Sequence, residues 1–551
     1  MPLNGKKMKR NNYIISSVML AALALTSSCK KELNVENPNS PTLVQAQTES
    51  GLTSLAQGSI YTNGFSNGDG WLGDSFFSLC YGYHELLADD VSAQAANQNV
   101  NLVNVPDYVI LDDGSRLTNT EPQIANLRYN NDRSRQGNNM FYYEWQNMYA
   151  LNNAANQILA LIPSVSFSGD AATKQATFKA WAYWWKGYAY ARLGSVYYAG
   201  LINNTVSATN GNYVNSAAMI AESNKNLQQA SSLLSAISNT STYTSVMTGL
   251  IPTIFQVGDG QVPTPTMFIH SINTLMARNL LANTKVSDMT TANWQTIITL
   301  TTSGIQSGDN VFSGHTAANN GVFSAGGGSV AANTAGDPTA TSFTISERLI
   351  QEFKSGDLRK SKNFKQVTPF LNQVGGFTFG TRWELLNAAT DPVSGNNAIQ
   401  LADKTPGNQE VYIGPSYEEN ALMEAEALIH TGQIPQGLAL VDAVRINQGA
   451  GLSAVASSGL SLTQALEEVR RERRIALLFR GTAFYDARRL GIIYDITKGG
   501  GRTGCVVLTP AGVLNTNATI NYDFLDYWDV PADEYVLNPP AAGSAPIKNP
   551  N

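Results

Sequence analysis

The residues of this chain best suited to chemistry gather between positions 65 and 85. Phe65, Trp71, Phe76, Phe77, Tyr81 and Tyr83 crowd beside Asp69 and Asp74. Flat aromatic faces next to carboxylates suit a sugar, because the apolar C–H face of a pyranose packs on a ring while its hydroxyls take fixed polar partners. Trp71, Asp74, Tyr81 and Tyr83 are the candidate ligand contacts in this stretch, the remaining rings serving the core. Trp383, between Arg382 and Glu384, forms a second aromatic and polar cluster placed near a pocket.

Motifs for bond-breaking chemistry start here and do not finish. Gly68, Gly70 and Gly73 spell G-x-G-x-x-G, but a dinucleotide fingerprint must follow a buried strand, and an Asn/Gly/Ser loop precedes this one. His84 and Glu85 open an H-E-x-x-H pattern that ends in Ala88, without its second zinc ligand. Asp89/Asp90 and Asp112/Asp113 are neighbours in sequence, and adjacent carboxylates do not face each other across a glycosidic bond. The chain has no G-x-S-x-G elbow or Walker loop, and its four histidines share no metal-ligand spacing. No catalytic residue, metal or cofactor is expected.

Helices must position these groups, and the strongest begins at Ser461. Ser461 and Gln464 have the spacing of a reciprocal capping box. Leu462, Ala465, Leu466, Val469 and Ala476 then recur at helical steps, opposite a face rich in Glu467, Glu468 and Glu472 and in Arg470, Arg471, Arg473 and Arg474. The interleaved acids argue against phosphate binding and predict a solvated, salt-bridged face. A helix pair is predicted over 416–449, with Ser416 and Glu419 as a second capping box, Gly432 as a left-handed stop and Pro435 in the next first turn. Its length of about 34 residues is the tetratricopeptide period. Helices are also predicted over 43–61, 141–162, 173–198, 226–237, 272–281, 291–300 and 346–354. Residues 93–140 and 308–338 read as loops, and 364–413 as short extended runs. Phe178, Trp181, Trp185, Tyr188 and Arg192 repeat as a packed core stripe rather than a ligand site.

With 551 residues, 43% hydrophobic and 14% charged, the chain can bury a large core as one domain or two fused lobes. Lys6, Lys7, Lys9 and Arg10 precede a short apolar run and then Thr26, Ser27, Ser28 and Cys29, the pattern of a secretory signal over residues 1–28. Its end looks like a lipobox, which would leave Cys29 as an acylated first residue; an ordinary signal peptide that contains a cysteine is the alternative. Several acyl chains at about 0.8 kcal/mol per buried CH₂ would hold the protein on a membrane without a span. Residues 29–42 read as a tether and 43–551 as the folded domain. Loss of the signal takes away four positive charges and moves the net charge from −6 to −10, which argues against nucleic acid. Beyond Cys29 only Cys80 and Cys505 remain, and their separation favours two buried free thiols over a disulfide.

The string from Arg470 to Gly491, RRERRIALLFRGTAFYDARRLG, resembles the C-terminal signature of the SusD/RagB family of outer-membrane nutrient-binding lipoproteins. It departs at Ala476 and Arg480, where the family usually has glutamate, and at Ala483, where it usually has arginine. Gly356-Asp357-Leu358-Arg359 is similar to the family's D-P-R turn. The segment 416–449 resembles its tetratricopeptide-like scaffold, with Ser416 in place of an arginine. Tyr527-Trp528-Asp529-Val530-Pro531, Glu534, Asn538-Pro539 and Asn549-Pro550 are similar to its closing pattern. The resemblance implies a mainly α SusD-like fold, with a helix-pair scaffold, long loops and a few short strands. It implies a non-enzyme on the outer face of the outer membrane, a lid that captures an oligosaccharide or similar nutrient for a SusC-like TonB-dependent transporter. The alternatives are a secreted glycan-degrading hydrolase, a peptide-binding lid of the same type, and a scaffold for proteins alone.

Overall fold

The computed structural model describes residues 47–61, 76–94, 97–207, 209–315, 329–371, 379–405 and 407–551. The chain opens with α1 (Glu49–Ile60), α2 (Tyr81–Leu87), β1 (Val91–Ala93), β2 (Tyr108–Ile110), β3 (Arg116–Thr118) and α3 (Gln123–Asn130). A helical stretch follows: α4 (Tyr142–Leu161), α5 (Ala171–Val196), α6 (Ser216–Ser235), α7 (Thr240–Leu250), α8 (Pro265–Ala282) and α9 (Thr291–Thr302). Four strands come next, β4 (Ser313–His315), β5 (Phe343–Ile345), β6 (Phe364–Phe370) and β7 (Thr381–Leu385), and then β8 (Glu410–Tyr412). The chain closes with α10 (Tyr417–His430), α11 (Ile434–Asn447), α12 (Leu462–Ala476), α13 (Ala483–Arg489), β9 (Arg502–Leu508) and β10 (Leu514–Asn521). The architecture is mainly helical with small antiparallel sheets.

Helix α5 is the centre of the main core. Trp181, Trp184 and Trp185 are fully buried on it, and from Thr177 onward nearly every residue is inaccessible. A helix apolar on most sides must be surrounded, and α4 and α6 cover it. Gly187 allows the close approach of α6, since a Cβ there would lie 2.6 Å from Leu227. Asp170 caps α5 by accepting from the Thr173 amide at 3.1 Å.

Helices α10, α11 and α12 enclose a second apolar cluster of Leu422, Ile429, Leu438, Val441, Val444, Ala465 and Val469. Ser461 and Gln464 form the predicted reciprocal capping box, and Gly432 takes the left-handed conformation, φ 86°. The second box is only half formed. Ser416 accepts from the Glu419 amide, but the Glu419 carboxylate turns to Arg278 on α8, with its Oε1 at 2.5 Å from Nε. A buried guanidinium outcompetes a backbone amide for that carboxylate.

Four further expectations need correction. The charged face of α12 is salt-bridged but only partly solvated: Glu468 and Glu472 are buried because Arg359, Arg445 and Lys354 from neighbouring elements close over them, and Arg473 is buried beside Asp486. The stretch 93–140 is not loop throughout. It supplies β2, β3 and α3, and β2 is completed by β10, with Val109 opposite Ile520, a pairing across about 400 residues that local periodicity cannot reveal. In 308–338, the described ends hold β4 and a buried turn of helix over Val330–Thr334. The helix predicted over 346–354 shrinks to Glu347–Ile350. Cys80 and Cys505 are both buried and free.

Candidate functional site

Helix α12 ends in a turn whose backbone is strained. Phe479 has φ 63°, a left-handed conformation that a bulky residue adopts only when its surroundings enforce it. Two residues on, Gly481 has φ 66°, and a Cβ there would lie 2.8 Å from the Tyr81 ring. The Tyr81 hydroxyl in turn donates to the Tyr412 carbonyl at 2.8 Å, so α2, β8 and the turn after α12 are locked together. Beneath this turn Glu85 is fully buried. Burial and the nearby Asp90 push its carboxyl well above the usual range, and the Phe479 and Gly481 amides offset this only in part. Asp90, by contrast, has Arg474 at 2.6 Å.

The Phe479 turn forms one wall of a cavity of about 320 Å³. That volume is at the small end of the ~300–1,000 Å³ of small-molecule pockets. Phe77, Tyr81, Tyr412 and Phe479 supply rings to its lining, and Gln400, Asp403, Glu410 and Arg480 supply polar groups. The carboxylates around it are engaged. Asp403 accepts from the Thr405 amide at 2.8 Å and from Asn408 at 3.0 Å. Glu410 accepts from Ser313 at 2.6 Å and lies 3.6 Å from His315. Asp259, behind the wall, accepts from the Tyr412 hydroxyl at 2.6 Å. The donors are different: Arg480 Nη1 and Gln400 Nε2 are inaccessible and have no hydrogen-bond partner among the described residues. The Arg480 guanidinium stacks on the Tyr412 ring, 3.4 Å from its centroid.

The candidate residues distribute unevenly about this cavity. Tyr81 lines it. Tyr83, although close in sequence, is buried against the Trp528 ring and does not reach the lining, because successive positions on a helix face different directions. Trp383 is half-buried on β7, away from the lining, where its Nε1 donates to Glu347 at 3.3 Å and Lys360 lies over its ring. Arg382 shares Glu347, and Glu384 pairs with Lys365. Trp71, Asp74 and Cys29 lie outside the described residues. Sequence reasoning missed Arg480, Tyr412 and Gln400 as a group. Arg480 carried a signal, as the one basic residue of the 470–491 string standing where the family usually has glutamate.

The residues weighed for hydrolysis are occupied elsewhere. Asp89 is clamped by Arg348 through two hydrogen bonds of 2.8 Å and by the Tyr522 hydroxyl at 2.7 Å. Asp112 accepts the Thr516 and Asn517 amides of β10, and Asp113 accepts the Ser115 amide within the β2–β3 turn. His84 is buried on α2. Burial, and then the charge of Arg192, hold it neutral, with Nε2 at 3.3 Å from the Arg192 guanidinium. Among the described residues no helix is long and apolar enough to cross a membrane.

No family model matches the chain, and no curated protein matches it. Solved structures do. A putative sugar binding protein from Bacteroides vulgatus ATCC 8482 is similar at 15% identity and TM-score 0.56, over 91% of this chain and all of the other. A SusD-like carbohydrate binding protein from Bacteroides fragilis NCTC 9343 is similar at 14% identity and TM-score 0.51, over 85% of this chain and 99% of the other. A third, a crystal structure with xylogluco-oligosaccharide, is similar at 12% identity and TM-score 0.53, over 90% and 99%. With its tryptophan-rich helical core, its helix pairs and its short sheets, the chain has the SusD-like fold.

Proposed function

We propose that this protein captures a sugar or similar nutrient in the cavity beneath the Phe479 turn, without breaking a bond in it. The observation that carries the reading is the cavity itself, with aromatic walls, carboxylates already engaged and two lining side chains, Arg480 and Gln400, that each keep a buried donor without a partner among the described residues. Hydroxyl and ring oxygens of a sugar would accept from those donors while its C–H face packs on a ring. Carboxylates capped by other partners are poorly placed to act as general acid and base, which favours binding over the hydrolase alternative. The fold is shared with proteins described as carbohydrate binding, one of them crystallised with an oligosaccharide. The lipobox-like end of the signal and the family signature support the finer reading of a lipid-anchored lid, Cys29 in the membrane, that serves a SusC-like TonB-dependent barrel from the outer face.

Two measurements test this. Titration of the purified mature chain against a panel of mono- and oligosaccharides, with product analysis, should show binding without turnover; released product would make it a hydrolase. Recovery of the acylated protein from its native membrane in mild detergent should bring a large barrel with it. Recovery alone, under conditions that keep other barrel complexes intact, would leave a free-standing surface binder.

A further inference from the structure

Arginines are abundant from residue 470 on, and five of the eight pair with carboxylates. Arg470 and Arg474 pair with Glu352, Arg473 and Arg489 with Asp486, and Arg489 also with Glu426. Arg488 donates to carbonyls of Ser195, Asp526 and Ala282. Arg502, likewise without a carboxylate partner among the described residues, donates to the Ala88 carbonyl at 3.0 Å, whereas Arg480 is the one of these three that lines the cavity. Among the described residues Arg480 has no carboxylate within ion-pair distance, it lines the cavity, and its Nη1 is buried without a hydrogen-bond partner. Unpaired buried cations are costly, so such a group marks a place where an anion belongs.

The nearby acids do not fill that role. Glu410 is held by Ser313 and His315, and Asp403 by Thr405 and Asn408. Glu418 and Asp259, whose fields also reach Arg480, are held as well: Glu418 accepts from Ser416 at 2.8 Å and Asn447 at 3.0 Å, and Asp259 from the Tyr412 hydroxyl at 2.6 Å. Each is already held by other donors, and none pairs with the guanidinium. Tyr412 covers one face of Arg480, which leaves the edge of the guanidinium as the open one, the geometry in which arginine takes a carboxylate. Gln400 offers a second donor on the same lining.

We propose that Arg480 makes this cavity selective for a sugar that bears a carboxylate, of the uronic-acid class. The inference rests on the sugar-binding reading above and adds the chemical class of its ligand. The carboxylate accepts from Arg480, a ring or hydroxyl oxygen accepts from Gln400, and the sugar's apolar face meets Phe77 or Phe479.

The test is calorimetric titration of the mature chain with galacturonic acid oligomers of two and three units, and with the matching neutral galactose oligomers. A charge-assisted hydrogen bond in a sheltered site should favour the acidic series by about ten- to hundredfold. Arg480→Gln should abolish the difference, and Arg480→Lys, which keeps the charge on a similar stem, should retain part of it and shows that loss in the glutamine variant is not loss of the fold. Neutral oligomers bound as well as acidic ones, or an Arg480→Gln affinity equal to wild type, would overturn the acidic selectivity and leave sugar capture standing. Failure of every sugar on the wider panel to bind would overturn both.

Discussion

The strain in the Phe479–Gly481 turn is local and has local consequences. Gly481 combines a left-handed φ with a Tyr81 ring that leaves no room for a Cβ. Gly481→Ala should therefore cost about 2–4 kcal/mol, strain and overpacking together, read as a lower urea midpoint at unchanged slope. Glu85, below the same turn, gives a pH signature. Its folded pKa is raised by burial and then by Asp90, whereas the unfolded group titrates near ~4.3. The folded state thus holds a proton that the unfolded chain releases, and this group costs stability progressively as pH rises above the unfolded value. Glu85→Gln should match wild type near pH ~4 and become the more stable of the two toward pH ~8. Parallel curves would show that Glu85 is ionised in the fold. Neither residue advertises this in sequence: Glu85 sits in a near-miss zinc motif, and only burial on α2 shows that it faces the turn.

At the scale of elements, the end signals were readable and the partners of charged faces were not. Ser461 and Gln464 announce the start of α12 because a capping box is local chemistry. The fate of Glu472 is set by Arg359 and Arg445, which arrive from other elements. Glu352 shows the energetic result: against burial, Arg474 and Arg470 bring it down to about 2. Asp89, Asp486 and Glu468 are likewise lowered, each against burial, by arginines or lysine. These depressed carboxylates contribute stability that is complete above their unfolded pKa values and is lost as pH falls through the folded ones. Arg474→Met leaves Asp90 and Glu352 without a shared partner in the interior and should cost about 3–5 kcal/mol at neutral pH. The penalty should shrink in acid as those carboxylates protonate, which denaturation at two pH values would show. The β4–β8 ladder carries a different pH dependence. His315 lies opposite Glu410, and its ring nitrogens face the Val257 and Gly407 carbonyls. Burial pulls its pKa down, but Glu410 and those carbonyls raise it overall. As pH rises through that raised value the imidazolium is lost, and the cavity becomes more negative. Affinity for an acidic sugar should therefore fall as pH rises above the ordinary histidine value of about 6.5, and His315→Gln should flatten the profile.

For the whole molecule, the sequence is most legible where the fold repeats local rules, and least where it joins distant segments. The α10–α11 pair follows from Ser416, Gly432 and Pro435, and the buried stripe of α5 from the spacing of its rings. The cavity follows from nothing local, since Phe77, Gln400, Tyr412 and Arg480 meet only because α2, β8 and the turn after α12 pack together. Such a site ties stability to occupancy. A ligand that binds the folded chain alone stabilises it by RT ln(1 + [L]/Kd), about 2.7 kcal/mol at a hundredfold excess over Kd. Because the ligand would span these three segments, protection should not stay in one loop. Hydrogen exchange should slow at the Tyr412 amide region of β8, at 479–481 and along α2 together when the ligand is added. The α10–α11 pair, enclosed in its own apolar cluster, should change little. Protection confined to one of the three cavity segments would mean that the ligand sits on the surface beside the cavity; protection of all three, absent in Arg480→Gln, would place it against the guanidinium.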